Sequence, residues 1–144
     1  MAKSLPEETI QAWARLARAQ AAVLQRTEAD LAAADLPSLE WYDVLLELDR
    51  AEDGRLRHRE LHPKLLIAKY NLSRLIDRLE REGLVERKRS PGDGRGADIA
   101  ITEKGRALRR RMWPVYQSAI AKHFASRLTS ADIKALNEAL PKLR

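Results

Sequence analysis

The chain has 144 residues, and its 27 lysines and arginines exceed its 21 acidic residues to give a net charge of +6. This length fits one compact domain or one subunit of an elongated helical dimer, and the positive charge favours a polyanionic partner. The absence of cysteine excludes disulfides and thiolate metal sites. Because no apolar run reaches the roughly 18 residues that a membrane-spanning helix needs, we expect a cytoplasmic protein with no membrane association.

Two amphipathic helices are predicted in the first third of the chain. Over residues 6–33, apolar residues recur at helical spacing, at Ile10, Trp13, Ala14, Ala17, Ala21, Leu24 and Leu31. The alanines in this stripe allow close approach of a second helix, which is typical of a packing or dimer interface. The segment "LPSLEWYDVLLELDRAEDG" predicts a second helix that begins after the N-cap Ser38 and ends at Gly54. The residues expected to face inward are Val44, Leu45 and Leu48.

The centre of the chain predicts a short third helix and then a strongly amphipathic fourth helix. The third is expected near residues 60–67, beginning at or just before His62 or distorted, because Pro63 is tolerated only in a first helical turn. The fourth is expected over residues 68–82, with Gly83 as its C-terminal cap and an apolar stripe of Leu72, Leu75, Ile76 and Leu79. Its opposite face carries Tyr70, Arg74, Asp77 and Arg81, flanked by Asn71, Ser73 and Arg78.

A β-hairpin and two further helices are predicted in the last part of the chain. The segments "LVERKR" and "ADIAIT" are short extended runs joined by a loop that is rich in glycine and proline. Thr102 is placed to cap a helix that continues to about Arg127. A last helix is expected from Thr129, with Asp132 in the capping-box position, to about Leu140.

This order of elements predicts a mainly α fold with a small β-hairpin wing, the layout of a winged helix-turn-helix. The major groove of DNA admits one helix whose exposed side chains reach base edges, and a neighbouring basic hairpin can reach the backbone or the minor groove. Between Arg87 and Arg95 the hairpin carries four cations against one acidic residue. Such charge provides affinity for phosphate that does not depend on the DNA sequence.

The sequence resembles the MarR family of bacterial transcriptional regulators. The segment "ELHPKLLIAKYNLSRLIDRLEREGLVERK" is similar to the helix-turn-helix of that family, and "DGRGADIAIT" is similar to its wing, with Asp-x-Arg followed by aliphatic-x-aliphatic-Thr. The resemblance implies a homodimer on a palindromic double-stranded DNA operator, with two recognition helices in successive major grooves. It also implies a single domain over residues 1–144, with dimerisation helices at 1–35 and 103–144 around a winged helix-turn-helix lobe at 36–102.

The resemblance also implies roles for individual residues. The recognition-helix positions that match are Lys69, Tyr70, Asn71, Ser73, Arg74 and Arg78, and the matching wing positions are Arg87, Lys88, Arg89 and Arg95. Asp93 matches the carboxylate that holds the wing arginine Arg95 in place. The chain departs from the pattern at three positions: Leu66 replaces the usual turn glycine, Ala68 replaces a polar N-cap, and Pro63 replaces a helix former.

Simpler explanations compete for two groups of arginines. Arg74 and Arg78 could lie on a solvated helix face, with Asp77 and Arg81 as an i,i+4 ion pair. The adjacent basic hairpin favours DNA contact instead. The cluster of Arg106, Arg109, Arg110 and Arg111 is more typical of a solvated face, although it follows the wing directly and could add to the potential that faces DNA.

The aromatic residues predict an effector site, with core packing as the favoured alternative. If the family arrangement holds, they converge between the dimerisation and DNA-binding lobes and suit a small aromatic ligand: they are Trp13, Trp41, Tyr42, Trp113 and Tyr116. The histidines lack the spacing of metal ligands, so no metal site and no cofactor are expected.

The function predicted from these patterns is a sequence-specific, dimeric DNA-binding repressor that a small aromatic ligand releases from its operator. An enzyme is not predicted, because the chain has no nucleophile-elbow, P-loop or zinc-protease motif. Two alternatives remain open at this stage. One is a winged-helix dimer whose basic face binds an acidic protein, and the other is a non-specific architectural DNA-binding protein.

Overall fold

The computed structural model describes residues 3–65, 69–89 and 96–144, and for Lys69 and Tyr70 the backbone only. It contains α1 (Glu7–Ala33), α2 (Leu39–Arg50), β1 (Arg55–Arg57), α3 (His58–Leu61), α4 (Lys69–Arg81), β2 (Val85–Arg89), β3 (Ala97–Ile101), α5 (Glu103–His123) and α6 (Ser130–Ala139). The chain divides into two compact units. We call Asp35–Pro114 the winged unit, and Met1–Ala34 together with Val115–Arg144 the terminal unit.

The winged unit contains a three-stranded antiparallel sheet in the order β1-β3-β2. The predicted hairpin is confirmed as β2 and β3, which pair so that Val85 lies opposite Ile101. Strand β1, in which Leu56 lies opposite Ile99, is not predicted from the sequence. Three residues are too few to show the alternation of a strand, and β1 is extended because β3 offers it a partner edge.

Side chains from the helices and the sheet form the core of the winged unit. The stripe predicted for α4 is confirmed, since its four members are 6% exposed or less. The inward-facing residues predicted for α2 are also buried. Other buried members of this core are Leu61, Leu84, Val85, Ile99, Leu108 and Met112.

Helix α4 ends in a Schellman motif, as the position of Gly83 predicts. Gly83 has φ +76°, a conformation that a residue with a side chain rarely adopts. Its N–H donates to the carbonyl of Glu80, and the next N–H, of Leu84, donates to the carbonyl of Leu79 at 2.9 Å. These bonds satisfy two carbonyls at the end of α4 and turn the chain directly into β2.

The predicted start of the third helix is wrong. Helix α3 spans His58–Leu61 and therefore begins four residues before His62. Pro63 lies in a separate 3₁₀ turn over His62–Lys64. The expected distortion is thus present, because proline closes one helical segment and the next turn tightens around it. Helix α2 likewise ends at Arg50 rather than at Gly54, and a 3₁₀ turn spans Glu52–Gly54.

Thr102 joins the end of α4 to the beginning of α5. Its hydroxyl donates to the carbonyl of Gly83 at 2.7 Å and accepts the N–H of Gly105 at 3.0 Å, so the predicted capping role is confirmed. Lys104 adds a bond from Nζ to the carbonyl of Glu82 at 2.7 Å. The absence of a side chain at Gly105 permits this approach, because a Cβ there would overlap the carbonyl oxygen of Leu84 and lie 2.9 Å from Ile101 Cγ1.

The terminal unit contains α1, the second half of α5, and α6. Helix α1 has 27 residues, of which only Thr27 and Leu31 are buried. A bond of 2.8 Å between His123 Nε2 of α5 and Asp30 Oδ2 of α1 ties these two helices together. The predicted capping box of α6 is confirmed, since Thr129 and Asp132 exchange bonds of 3.1 and 2.9 Å. Helix α5 ends at His123, before the predicted Arg127.

We expect Gly105→Ala to destabilise the protein by about 1–3 kcal/mol, because the added methyl group forces the Leu84 backbone away from α5. Helix propensity alone predicts the opposite effect, an increase in the stability of the folded protein of about 1 kcal/mol. Urea unfolding at one protein concentration measures the change, with Ala107→Gly as a measure of propensity in the same helix. A stabilised Gly105→Ala variant would contradict the packing argument.

Candidate nucleic-acid interface

The exposed face of α4 is polar and cationic. Burial of its apolar stripe leaves Asn71, Ser73, Arg74 and Arg78 exposed, which are four of the residues predicted for the recognition helix. Ser73 Oγ lies 3.3 Å from Nε2 of His58 in α3. Within the part of the chain that the structure describes, neither Arg74 nor Arg78 forms an ion pair. Two guanidinium groups are therefore available on one face of an exposed helix.

Several predicted residues fall outside this description. Arg95 and Asp93, together with the turn positions Leu66 and Ala68, lie outside the described residues, and Lys69 and Tyr70 are described as helical backbone only. The predicted pairing of Asp93 with Arg95 therefore stays a prediction.

The strand β2 carries its cations on opposite faces. Successive side chains of a strand point to opposite sides of a sheet, so Arg87 and Arg89 share the side of buried Val85. Lys88 lies on the other side with Glu86, and Lys88 Nζ is 3.8 Å from Glu86 Oε2. The two basic neighbours Arg87 and Lys88 therefore have different surroundings.

Arg87 binds two carboxylates of α4. Its Nη2 lies 2.6 Å from Asp77 Oδ1, and its Nη1 lies 2.7 Å from Glu80 Oε1. The backbone N–H of Arg87 also donates to Glu80 Oε2 at 3.0 Å. We call these three residues the Arg87 clamp. Its position corrects the alternative of an Asp77–Arg81 ion pair: Arg81 Nε instead lies 3.4 Å from the carbonyl oxygen of Asp77.

The clamp stabilises the ionised form of Glu80. The backbone N–H of Arg87, then its guanidinium, donate hydrogen bonds that hold the pKa of Glu80 below its ordinary value of 4.5. The Glu80 side chain is 40% exposed, so solvent screens part of this interaction.

A second ion cluster joins β1 to the hairpin near the loop end of β2 and β3, where Asp98 lies opposite Lys88. Asp98 of β3 is almost buried, and its Oδ2 accepts Arg55 Nε of β1 at 2.8 Å. Arg57 Nε lies 3.8 Å from the other carboxylate oxygen. Arg55 Nη2 also lies 3.5 Å from the carbonyl oxygen of Arg89. The sequence analysis missed Asp98, because its partners become neighbours only when β1 pairs with β3.

The arginine cluster at the beginning of α5 divides into two pairs. Arg106 Nη1 and Arg109 Nε bind the two oxygens of Asp49 in α2, and the Arg109 contact measures 2.6 Å. Arg110 and Arg111 are exposed. Half of the cluster thus links α5 to α2, and the other half lies on the surface.

The predicted aromatic residues lie in both units. Within the winged unit, the rings of Tyr42 and Trp113 stack with centroids 6.3 Å apart and an interplanar angle of 18°. Tyr42 is buried, whereas Trp113 is 39% exposed, and Trp41 is half-buried. Trp13 and Tyr116 belong to the terminal unit, where Trp13 is 70% exposed.

Residues 3–65, 69–89 and 96–144 contain no group of three or more histidines and carboxylates arranged to hold a metal ion. No helix in these ranges has both the length and the apolar character that crossing a membrane requires.

Comparisons with known proteins support one family. A sequence model of the MarR family matches residues 34–96. An uncharacterised HTH-type transcriptional regulator of Bacillus anthracis is 30% identical over 131 residues, which cover 91% of this chain and 85% of that protein. The transcriptional repressor MprA of Escherichia coli is 32% identical over 71 residues, 49% of this chain and 40% of its own. A MarR-family regulator of Streptomyces coelicolor, solved in complex with DNA, has a TM-score of 0.91 and 26% identity and covers 99% of this chain and 89% of its own.

Acidification should remove the contribution of Glu80 to stability. Because its pKa is lower in the folded protein, this contribution is fully present above pH 4.5 and is lost as the pH falls through the folded value. We expect Glu80→Gln to be less stable than the wild type at neutral pH, and the difference to shrink as the pH falls below 4.5. Urea unfolding at a series of pH values measures both free energies. Glu86→Gln, which removes a carboxylate from the neighbouring strand β2, is the control, and an equal decrease of the stability difference in that variant would contradict the assignment.

Proposed function

Because this chain belongs to the MarR family of DNA-binding transcriptional regulators, we propose that it is a cytoplasmic homodimer that binds a palindromic operator and represses transcription. The observation that carries this proposal is the cationic face of α4, which the buried stripe on its other side directs into the solvent. The likeness to a DNA complex and to a named repressor supports it.

Helix α4 is assigned to the major groove. Its first turns carry Lys69, Tyr70, Asn71, Ser73 and Arg74, and a recognition helix reads base edges with the residues near its N-terminus. Arg74 is suited to a guanine, since a guanidinium can donate two bonds to O6 and N7 of that base. Arg78 lies one turn further along the helix, where a phosphate contact is expected.

The hairpin is assigned to the DNA backbone beside the groove. Lys88 and Arg89 lie on exposed positions of β2, and Arg95 follows β2 in the sequence. Cations on such a segment suit phosphates or a narrow minor groove better than fixed base contacts. In this assignment Asp93 holds Arg95 in position, and the wing provides affinity more than sequence choice.

The terminal unit is assigned to dimerisation. Large apolar side chains remain exposed in it, and a helix whose apolar face finds no partner in its own chain is typical of a subunit interface. They are Leu5, Ile10, Trp13, Leu16, Leu24, Phe124, Leu140 and Leu143, between 37% and 71% exposed. Helix α6 has no buried residue at all. A second copy of the chain would cover these surfaces and set the spacing of the two recognition helices.

An aromatic effector is the proposed release signal. The Tyr42–Trp113 pair supports it, since Trp113 is 39% exposed and stacks on a buried ring. A small aromatic molecule can pack against an exposed aromatic side chain of this kind. It can weaken operator binding only if it binds the DNA-free form of the dimer better than the bound form.

Arg74→Ala tests base reading by α4. We expect a loss of about 1–3 kcal/mol on the preferred operator, with relaxed preference at one base pair, because a bidentate contact disappears. Selection of sites from random duplexes, followed by titration of the selected and a scrambled duplex, measures both effects. Equal losses on the two duplexes would demote Arg74 to a phosphate contact and favour a non-specific architectural protein.

Trp13→Glu tests the dimer interface. In a monomer, a substitution at a side chain that is 70% exposed should change stability little. In the proposed dimer it places a charge in an apolar contact, and we expect the dimer dissociation constant to rise by roughly tenfold or more. Sedimentation equilibrium measures this constant. Ala19→Glu, which adds the same charge on the opposite face of α1, is the matched control, and equal behaviour of the two variants would contradict the assignment.

A further inference from the structure

Among the described cations of the hairpin, Arg87 has the most contacts with carboxylates. Both terminal nitrogens of its guanidinium and its backbone N–H bind carboxylates of α4, at 2.6, 2.7 and 3.0 Å. Its side chain is 35% exposed, whereas that of its neighbour Lys88 is 52% exposed. Arg87 is therefore attached to the recognition helix, and Lys88 is directed into the solvent.

The attachment follows from the positions of the three residues. Asp77 and Glu80 are three residues apart, so they lie one helical turn apart on the same side of α4. Arg87 is two residues after buried Val85, on the same side of β2. The Schellman turn brings the end of α4 directly into β2. One planar guanidinium can therefore bind both carboxylates, a geometry that a lysine ammonium does not provide.

The charges of the clamp matter for a helix that approaches DNA. Asp77 and Glu80 place two negative charges on α4 beside Arg78, and both side chains are at least 40% exposed. Unbalanced carboxylates at this position would repel phosphates. Arg87 neutralises part of this charge and holds the carboxylates toward β2.

We propose that Arg87 is a positioning residue for DNA binding. It holds β2 against the recognition helix α4 and neutralises the carboxylates of Asp77 and Glu80. It makes no phosphate contact itself. The inference rests on the proposed function and reassigns one residue that the sequence places among the DNA contacts. A phosphate that bound Arg87 would have to displace two carboxylates already in contact with it, whereas among the described residues Lys88 makes one ion-pair contact, of 3.8 Å, with Glu86.

A double-mutant cycle in the absence of DNA tests the clamp itself. The variants are Arg87→Met, Asp77→Asn with Glu80→Gln, and all three substitutions together. Urea unfolding should show a coupling of about fivefold in the folding equilibrium constant between Arg87 and the carboxylates. If the changes in the free energy of unfolding are additive, the proposal is overturned, because the Arg87 clamp then does not stabilise the folded protein in solution.

Salt-dependent titration of a random-sequence duplex tests the role in binding. We expect Arg87→Met to weaken binding by about three- to tenfold with an unchanged slope of log affinity against log salt. The triple variant should regain part of the lost affinity, because the unmasked carboxylates are gone although β2 is no longer held to α4. Lys88→Met is the matched control for a lost phosphate contact, and its slope should fall in magnitude by about 0.9 for each wing. The proposal would be overturned if Arg87→Met lowered the magnitude of the salt slope as much as Lys88→Met does and the triple variant regained no affinity.

Arg87→Lys separates geometry from charge. A phosphate contact tolerates this change, whereas the clamp loses its two-carboxylate geometry, so we expect weaker binding although the net charge is the same. Affinity equal to that of the wild type would overturn the proposal. If the wild-type protein binds no duplex, the proposed function is wrong. If it binds duplex but the double-mutant cycle gives additive unfolding free energies, only the positioning role of Arg87 is wrong.

Discussion

Burial of the apolar stripe of α4 is the constraint on which the winged unit depends. Each of its four leucine and isoleucine side chains contributes about 1.5–3 kcal/mol when it leaves water, so the rotation of the helix about its axis is strongly determined. That rotation directs Arg74 and Arg78 into the solvent. It also turns Asp77 and Glu80 toward the strand that follows, where Arg87 meets them.

The backbone between α4 and α5 fixes the position of the hairpin relative to α4. Gly83, Leu84, Thr102 and Gly105 meet through short bonds that join the end of one helix, the base of the hairpin and the beginning of the next helix. Ion pairs add to these backbone bonds in holding the strands of the hairpin in position. The Arg87 clamp holds β2 on the side of α4, and Asp98 with Arg55 holds β3 to β1. These contacts explain why some arginines of a basic segment serve the fold and others remain available.

The two units differ in how they satisfy their apolar residues. The winged unit buries leucines or isoleucines from α2, α3, α4, β3 and the first part of α5, whereas the terminal unit leaves Trp13 and other large side chains in water. A helix of 27 residues with only two buried gains little stabilisation from packing within its own chain. The protein thus has one unit with an apolar core and another that leaves large apolar side chains exposed.

Local patterns in the sequence determined α1, α4, the hairpin and the caps at Gly83, Thr102 and Thr129, because periodicity and capping depend on residues a few positions apart. The cationic face of α4 and the resemblance to the MarR family follow from the same local information. Only the tertiary structure decided that "RLR" is a strand, that Asp98 binds Arg55, and that Arg106 and Arg109 bind Asp49. It likewise decided that Arg87 lies on carboxylates and Lys88 does not. These partners are as many as 60 residues apart, and a contact of that kind depends on how the elements pack rather than on the residues beside it in the chain.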